Sequence, residues 1–294
     1  MSVPRAIAIA ASLWVGAVFL SDSTATAADV ATAETAAAEQ VLPVRVEPSV
    51  SVVPANHLKF YLHFPGPMER GEVFRHLRLV EIDDEGGEIA EVPEPFREVE
   101  LWDETFTRLT LWFHPGRQKP GVNLNVEIGP VLEEGRQYAL EISEKWRLES
   151  GEPLGTSARH RFAAGPFDTT QPDPRRWKVE AAGSGILVFA DEPLDPASLR
   201  KSLSVVDESG APVGEIAIAG LDLCFSTGEQ WAAGYRIDLP LPPSTGDYRL
   251  RIDPRLEDLA GNSIARPFNV DLGAGAPEER IDPVEIPFSL EAEP

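Results

Sequence analysis

The sequence predicts an all-β protein made of two β-sandwich domains in tandem. Short segments in which apolar and polar residues alternate recur along its 294 residues, and a period of two is typical of half-buried strands. The 27 prolines and 23 glycines favour frequent turns over long helices. One closing pattern occurs twice, as Tyr138 with Gly151 and as Tyr248 with Gly261, and each copy predicts a strand, a connection and a glycine turn.

The N-terminus predicts export. A short basic start is followed by an apolar run over residues 6–20 and by Ala25-Thr26-Ala27, a small-x-small cleavage site. The run is shorter than the roughly 20 residues that span a bilayer, so residues 1–27 are predicted to be a cleaved signal peptide. Residues 28–45, rich in Ala, Thr and Glu, are predicted to be a flexible spacer. We expect a periplasmic, extracellular or cell-surface protein without a later transmembrane segment.

The chain is strongly acidic, with 48 acidic against 26 basic side chains and a net charge of -22. Like charge repels nucleic acid and anionic membranes, so neither is expected as a partner. Cys224 is the sole cysteine, so the cores must be stable through packing without an internal disulfide. We interpret Cys224 as a small buried apolar residue, and a reactive or intermolecular thiol is the alternative.

The first domain is predicted over residues 46–167, and its clearest strand covers residues 58–64. Every second residue of this segment is apolar and should face the core: Leu58, Phe60, Leu62 and Phe64. The remaining residues and the one before them are expected on the opposite face: His57, Lys59, Tyr61 and His63. The prediction is therefore a half-buried strand.

The rest of the first domain continues with a helical turn over residues 73–77 and a strand over 77–82. A hairpin turn follows at residues 83–87, where Gly86 and Gly87 can take positive φ. Three more strands are predicted, over residues 109–113, 138–142 and 159–163.

A proline-rich stretch, residues 167–174, marks the domain boundary, and the second domain is predicted over residues 168–274. Its predicted strands follow the order of the first domain: 186–189, 203–206, 213–218, 235–239 and 248–252. Asp195 followed by Pro196 predicts a helix start, since Asp caps helix N-termini and Pro suits the first helical position. Residues 275–294 are predicted to be an acidic C-terminal tail, in which residues 284–290 could add an edge strand.

Several of these segments resemble the bacterial Ig-like domains of surface-layer (SbsA-like) type. Phe64-Pro-Gly-Pro-Met68 and Phe189-Ala-Asp-Glu-Pro-Leu194 look like its F-S-x-P-M/L segment. Tyr248-Arg-Leu-Arg-Ile252 with Leu259-Ala-Gly261-Asn262-Ser-Ile264 is similar to its closing segment, Y-x-V-x-V followed by D-x-A-G-N-x-L. Asp168-Thr-Thr with Pro172 resembles its domain opening. The first copy departs from the pattern, because it has a long insertion and lacks the Ala-Gly-Asn.

The resemblance implies two tandem Ig-like sandwiches on an exported or surface protein, where such domains act as spacers, stalks or adhesive modules. It implies no particular activity. In Ig-like sandwiches a tyrosine at the start of a late strand ties a sheet corner through its hydroxyl. Tyr138 and Tyr248 are expected in this role, with Gly151, Gly261 and Asn262 as structural turn residues.

No catalytic machinery is predicted. The zinc-protease helix motif, the nucleophile elbow and the phosphate loop do not occur in the sequence. All five histidines lie in the first domain and are expected at its surface or rim: His57, His63, His76, His114 and His160. A metal site that joins His63 to His114 is one alternative. We expect a non-enzyme without cofactor or metal, and an undetected hydrolase is the other alternative.

Two acidic loops are candidates for calcium in an exported protein, namely residues 83–85 and the pair Asp253 and Asp258. Neither has the spacing of a twelve-residue EF-hand loop. We therefore expect solvated charges at both places, with calcium binding as the alternative.

The first domain has an insertion over residues 115–130, and loops longer than a domain needs are often binding loops. The candidate binding residues in and beside it are Trp112, Arg117, Lys119, Asn123 and Asn125. Arg117 and Lys119 are expected to form a positive spot, so the partner would be a protein or a polyanionic cell-surface polysaccharide. The alternative is an extension packed on its own domain. The whole chain is predicted to be a structural or adhesive module, with a carbohydrate- or protein-binding accessory module as the alternative.

Overall fold

The computed structural model of the protein describes residues 44–118, 123–227, 230–240, 245–268 and 282–291. The predicted signal peptide, most of the predicted spacer and Lys119 lie outside these residues. The described residues belong to one compact unit, Leu42–Pro294.

The described residues of the first sandwich form eight strands: β1 Arg45–Glu47, β2 Val52–Pro54, β3 Lys59–His63, β4 Leu77–Ile82, β5 Glu88–Glu91, β6 Arg108–Trp112, β7 Gln137–Ile142 and β8 Ala158–Gly165. They make a three-stranded sheet in the order β1-β3-β6 and a five-stranded sheet in the order β2-β8-β7-β4-β5. The pairs are antiparallel, except that β2 runs parallel to β8. Apolar side chains of both sheets meet in one core around Phe60, Leu111, Leu140 and Trp146.

In the second sandwich, seven strands lie within the part of the chain that the structure describes: β9 Lys178–Ala182, β10 Gly185–Ala190, β11 Leu203–Asp207, β12 Ala217–Thr227, β13 Gln230–Asp238, β14 Gly246–Ile252 and β15 Val284–Leu290. Their sheets have the orders β12-β13-β10-β9 and β11-β14-β15. A separate core lies between them, built on Ile186, Val205, Ile237 and Leu250. The prediction of an all-β protein with two sandwiches is confirmed.

Helices are short in the residues that the structure describes. The α-helices there are α1 Pro115–Gln118, α2 Asn123–Ile128 and α3 Pro196–Ser202, and 3-10 turns cover Val73–His76 and Pro174–Arg176. The helix predicted after Asp195 is confirmed as α3. In the described part of the chain, no helix has the length and apolar character that a membrane crossing requires.

The second sandwich departs from the predicted strands at residues 213–218. The sequence predicts residues 213–218 as the return strand of a hairpin with β11. In the structure the pairing with β11 ends at Val213, because Pro212 bridges to Val206, Val213 N donates to the Val205 carbonyl at 3.0 Å, and the chain then crosses to the other sheet as β12. Proline has no N–H for a strand ladder, and Gly214 has a φ of +118°, so the hairpin cannot continue there.

The predicted acidic tail contains a strand of the fold. β15 pairs with β14 from Val284 opposite Ile252 to Leu290 opposite Gly246, and so realises the edge strand. Phe288 and Leu290 alternate inward and enter the second core. The prediction of a tail is wrong for these residues. The strand β9 is not predicted from the sequence.

Candidate functional site

The outward face of β3 is covered by the second sandwich, and we call this contact region the junction. Tyr61 is 4% exposed, and its hydroxyl donates to the Asp195 carboxylate, both of whose oxygens lie 3.0 Å away. Lys59 Nζ lies 3.5 Å from Asp195 Oδ2 and 3.3 Å from Glu257 Oε2. The predicted half-buried strand is therefore wrong, because the polar face finds charged partners in the distant second half of the chain.

Asp195 is positioned by local sequence. It caps α3, since its Oδ1 accepts from Ser198 N at 2.8 Å and Pro196 occupies the first turn. A buried carboxylate is stable only with strong partners, and Tyr61 and Lys59 provide them. Burial and then the Asp195 carboxylate raise the pKa of Tyr61, so the phenol keeps the proton that it donates.

An ion cluster forms the rim of the junction. Arg200, in α3, donates to both carboxylate oxygens of Glu47 at 2.6 and 2.8 Å, and Arg45 contacts the same carboxylate. His63 Nε2 lies 3.0 Å from Glu47 Oε2. Burial alone would raise the pKa of Glu47, but the hydrogen bonds from His63 and Arg200 bring it down to about 2. The two sandwiches are thus joined by a permanently charged pair.

Residues 258–262, Asp-Leu-Ala-Gly-Asn, form a closed turn that we call the docking loop. Asp258 Oδ1 accepts from Ala260 N at 2.7 Å and from Asn262 N at 2.8 Å, and Oδ2 accepts from Asn262 Nδ2 at 2.8 Å. Gly261 has a φ of +84°, a backbone conformation that residues with a β-carbon rarely adopt. These bonds fix the loop without help from outside.

The docking loop completes the core of the first sandwich. The Leu259 carbonyl accepts from Leu58 N at 3.1 Å and lies 3.2 Å from His57 Nδ1. The Leu259 side chain is 3% exposed and belongs to the core cluster of the first sandwich, although the residue lies in the second. A motif that resembles a domain-closing segment is therefore also the contact between the sandwiches.

His57 is buried in the junction, so the prediction of a surface or rim histidine is wrong for it. It is 1% exposed and lies edge-on to Phe60 and Phe113, at ring-centroid distances of 4.5 and 5.9 Å. Burial lowers its pKa to about 3, although the hydrogen bond to the Leu259 carbonyl acts in the other direction. The imidazole is neutral because no solvent reaches it.

The alternative metal site from two histidines is not formed. β3 and β6 run antiparallel, with Lys59 opposite Trp112 at one end and His63 at the other. His114 follows β6 and so lies beyond the end opposite to His63. The His63 ring nitrogen instead contacts the rim carboxylate described above.

Asp168, Glu192 and Asp258 form a group that we call the carboxylate trio. Asp168 lies in the connection after β8, Glu192 follows β10, and Asp258 begins the docking loop. One ligand atom of each lies within 4.8 Å of the others. An all-oxygen donor set of this kind suits a hard cation such as Ca²⁺.

Without a cation the carboxylate trio retains a proton. Burial, followed by the charges of Asp258 and Asp168, raises the pKa of Glu192 to about 10. Burial also raises the pKa of Asp258 to about 7, although hydrogen bonds from Asn262 act against this. Carboxyl groups this close cannot all ionise, so Glu192 is protonated at neutral pH.

The two acidic loops, which were expected to be solvated charges with calcium as the alternative, contain carboxylates that have partners within the protein. Asp253 pairs with Arg255 at 2.6 Å, and Asp83 accepts from Gly87 N at 2.6 Å within its hairpin. Asp258 belongs instead to the carboxylate trio. Each member of the carboxylate trio belongs to one of the three segments that resemble the family pattern, but nothing in the spacing of these segments shows that the three carboxyl groups meet.

The predicted binding loop folds onto its own sandwich as α1 and α2. Arg117 is 2% exposed, and its Nε and Nη2 donate to the carbonyls of Gly129 and Pro130 at 2.9 and 2.6 Å. Its Nη1 contacts the Pro93 carbonyl. The prediction of a positive surface spot is wrong for Arg117, because its guanidinium satisfies carbonyls of the loop.

The other predicted binding residues do not converge on one exposed surface in the described part of the chain. The Trp112 ring centroid lies 5.0 Å from Lys59 Nζ. Asn125 Nδ2 donates to the Arg117 carbonyl at 2.6 Å and so closes the loop on itself. Lys119 and the side chain of Asn123 lie outside the described residues.

The two repeated tyrosines are both buried at the start of their strands. Tyr138 accepts a hydrogen bond from Glu133 N at 2.9 Å, which ties the strand to backbone just upstream. Tyr248 packs against Phe288 of β15, with ring centroids 5.8 Å apart. The segment upstream of Tyr248, residues 241–244, lies outside the described residues.

Comparison with known proteins assigns no family. No family model and no curated protein matches the chain. Two solved structures described as a marsupial T cell receptor match at 10% and 9% identity, with TM-scores of 0.23 and 0.21. The matches cover 86% and 85% of this chain, and 99% and 63% of the other chains. At such low structural similarity they carry no argument about fold or function.

Proposed function

We propose that the chain is an exported, non-catalytic structural module that holds two Ig-like sandwiches in one fixed orientation. The observation that carries this proposal is the junction, where side chains of each sandwich complete the other. Domains in one chain move relative to each other by default unless their interface is extensive and well packed. The insertion of Leu259 into the first core and the pair of Tyr61 with Asp195 both oppose such motion.

Buried polar contacts favour one orientation because they tolerate little displacement. If the sandwiches rotated, Asp195 would keep its place as the helix cap but lose the Tyr61 hydroxyl and the Lys59 ammonium. An unpaired buried carboxylate costs about 3–5 kcal/mol when one partner of a buried pair is removed. A rigid spacer or stalk needs such a restraint, whereas a catalyst would need a reactive pocket.

A distance measurement between the sandwiches tests the fixed orientation. Spin labels at Ile89→Cys and Glu208→Cys, in a Cys224→Ala background, report on the first and second sandwich by double electron–electron resonance. We expect one narrow distance distribution in the otherwise native protein. Tyr61→Phe should broaden it, because Asp195 loses the hydrogen bond from the Tyr61 hydroxyl across the junction. A broad distribution in the native protein would contradict the proposal.

Tyr138→Phe is the matched control for that measurement. It also removes one buried hydroxyl, but the lost bond to Glu133 lies within the first sandwich. We expect it to lower stability without broadening the distance distribution. Equal broadening by both variants would mean that general loosening, not the junction, sets the width.

Export is tested separately by expressing the full chain and determining the N-terminus of the product by mass spectrometry. The proposal expects the mature chain to begin at residue 28, after the Ala25-Thr26-Ala27 site. An intact Met1 on the exported product would contradict the proposed cleavage.

A further inference from the structure

Lys59 and Asp195 bring an amine and a carboxyl group together inside the junction. Lys59 Nζ lies 3.5 Å from Asp195 Oδ2, so the nitrogen is next to the carboxyl carbon that carries this oxygen. The Lys59 side chain is 12% exposed and the Asp195 side chain 3%. An amine and a carboxyl group that the fold holds in contact, away from water, are the two reactants of amide formation.

The Asp195 carboxyl group has hydrogen-bond donors on the oxygen that would become negative if the amine attacked. Ser198 N donates to Oδ1 at 2.8 Å, and the Tyr61 hydroxyl lies 3.0 Å from both oxygens. Burial and then the Asp195 carboxylate raise the pKa of Tyr61, so the phenol remains a donor. Fixed donors on an oxygen that gains charge are the elements of an oxyanion hole. The surroundings of Asp195 therefore suit a group that an amine attacks.

Two carboxylates lie beside Lys59 Nζ, and Asp195 is the one shielded from water. Glu257 Oε2 lies 3.3 Å from the nitrogen, but the Glu257 side chain is 39% exposed. Water stabilises the ionised form of an exposed carboxylate, and an ionised carboxylate is a poor target for an amine. Asp195 is therefore the reacting carboxyl group.

We propose that Lys59 and Asp195 condense to an intramolecular amide, which joins the two sandwiches covalently. The inference deepens the fixed orientation proposed above and rests on the same junction. Cys224 is the sole cysteine, so a disulfide within the chain cannot supply such a link. An amide forms without an oxidant and is not broken by reduction.

The reaction balances without a co-reactant. Lys59 first transfers one ammonium proton to Asp195 Oδ2 within the pair, since burial disfavours both charges. The neutral Nζ then attacks Asp195 Cγ, a C–N bond forms, and the electron pair of the C=O bond moves to Oδ1, where Tyr61 and Ser198 donate. The carbonyl re-forms, the Cγ–Oδ2 bond breaks, and hydroxide leaves as water with a second proton from Nζ. One ammonium and one carboxylate become one secondary amide and one water, with no change of oxidation state.

The fold makes this condensation favourable, whereas amines and carboxylates in bulk water stay apart. Reactants held in a productive orientation reach effective molarities of about 10⁵–10⁸ M. Here Lys59 is fixed in β3 of the first sandwich, and Asp195 is fixed as the cap of α3 in the second. The amide is thus expected to form after the two sandwiches have met and not in the unfolded chain.

Intact mass spectrometry of the exported product from the full chain tests the proposal. The denatured native protein should be lighter, by one water molecule, than the sum of its residues. Lys59→Arg keeps the positive charge but offers no amine, so its mass should equal the sum. Lys145→Arg, at an exposed position of the first sandwich, is the matched control and should keep the mass loss. A native mass equal to the sum overturns the proposal.

A tryptic peptide map locates the bond, because trypsin does not cleave after an acylated lysine. The native protein should yield residues 46–70 joined to residues 179–200, in place of the free peptides 46–59 and 60–70. The Lys59→Arg protein should yield only unjoined peptides. A bond from residues 46–70 to residues 256–266 would place the amide on Glu257 and overturn the assignment to Asp195.

The contribution of the Tyr61 hydroxyl is measured in newly synthesised protein, as the fraction of molecules with the lower mass over time. Tyr61→Phe should form the amide about 10²–10³-fold more slowly, because one donor of the oxyanion hole is lost. Tyr138→Phe, which also removes a buried hydroxyl of the first sandwich, should react at the native rate. Equal rates for the two variants would overturn the role of Tyr61.

Failure of the amide and failure of the fixed orientation are distinguishable. A native mass without the loss, together with a narrow distance distribution, overturns the amide and leaves the orientation intact. The mass loss together with a broad distribution supports the amide and contradicts the fixed orientation. The native mass and peptide map need no variant, so a variant that fails to fold does not prevent the test.

Discussion

Gly261 in the second sandwich approaches Leu58 in the first so closely that a β-carbon on Gly261 would lie 2.5 Å from Leu58 Cδ1. The glycine thus serves two purposes, since its φ of +84° closes the docking loop and its missing side chain lets the loop reach the first core. Its counterpart in the first copy, Gly151, has a φ of +89° but meets nothing within 4 Å. Both glycines therefore share the positive φ of a turn, but only Gly261 also contacts the other sandwich.

This pair of glycines provides a matched test. Gly151→Ala should cost about 1–2 kcal/mol of unfolding free energy, the strain of a β-carbon at positive φ. Gly261→Ala should cost about 1–3 kcal/mol more, because the added methyl group also clashes with Leu58. Denaturant unfolding of both variants measures the difference. If both variants lost the same unfolding free energy, the close approach of Gly261 to Leu58 would not be the reason that position 261 requires glycine.

Arg117 should be a stability determinant of the insertion. Arg117→Ala removes the buried guanidinium that donates to the carbonyls of Gly129 and Pro130. A hydrogen bond from a charged group contributes about 1.5–3 kcal/mol, so we expect a loss of stability of about that size. Arg117→Lys should restore little, because a single ammonium cannot reproduce the fork of donors. Thermal unfolding and limited proteolysis of residues 115–130 measure the effect.

Arg97→Ala is the control for the Arg117 variants. Arg97 is exposed, and an exposed side chain without such contacts is expected to change the free energy of unfolding by no more than about 0.5 kcal/mol. If Arg117→Ala changed the stability as little as Arg97→Ala, the buried guanidinium would not stabilise the fold of residues 115–130.

His160 should make the protein sensitive to acid. Burial lowers its pKa to about 4, so the unfolded chain takes up a proton between pH 6.5 and 4 that the folded chain does not. His160→Phe keeps the ring stacked on Phe162 but removes the titration. It should therefore stabilise the protein at pH 4.5 by about 1–3 kcal/mol relative to its effect at pH 7.5. An effect that is equal at both pH values would contradict this origin.

Tyr138 should stabilise the first sandwich through its hydroxyl. Tyr138→Phe leaves Glu133 N without its 2.9 Å acceptor and should cost about 1–2 kcal/mol in thermal or denaturant unfolding. The ring remains to stack on Phe162, so the core itself should persist. An unchanged midpoint would mean that water replaces the hydroxyl at no cost.

Local patterns determined the strands and several of their boundaries. Alternation placed Phe60 and Leu62 inside, and the dipeptide Asp195-Pro196 began a helix, because strand faces and helix caps depend on neighbours in the chain. The acidic composition is also a property of the sequence alone, and the prediction of export rests on the sequence alone. Residues 213–218 show the limit, since periodicity cannot tell which sheet a strand joins.

Only the tertiary structure decided which polar side chains are buried and which partners they contact. Lys59, Tyr61 and His57 have an ordinary outward pattern, and only packing against Asp195 and Leu259 turns that face into an interior. Likewise nothing in sequence distance relates Asp168 to Glu192 and Asp258. The energy of a buried charge depends on which groups approach it in space, and that is set by how the two sandwiches meet.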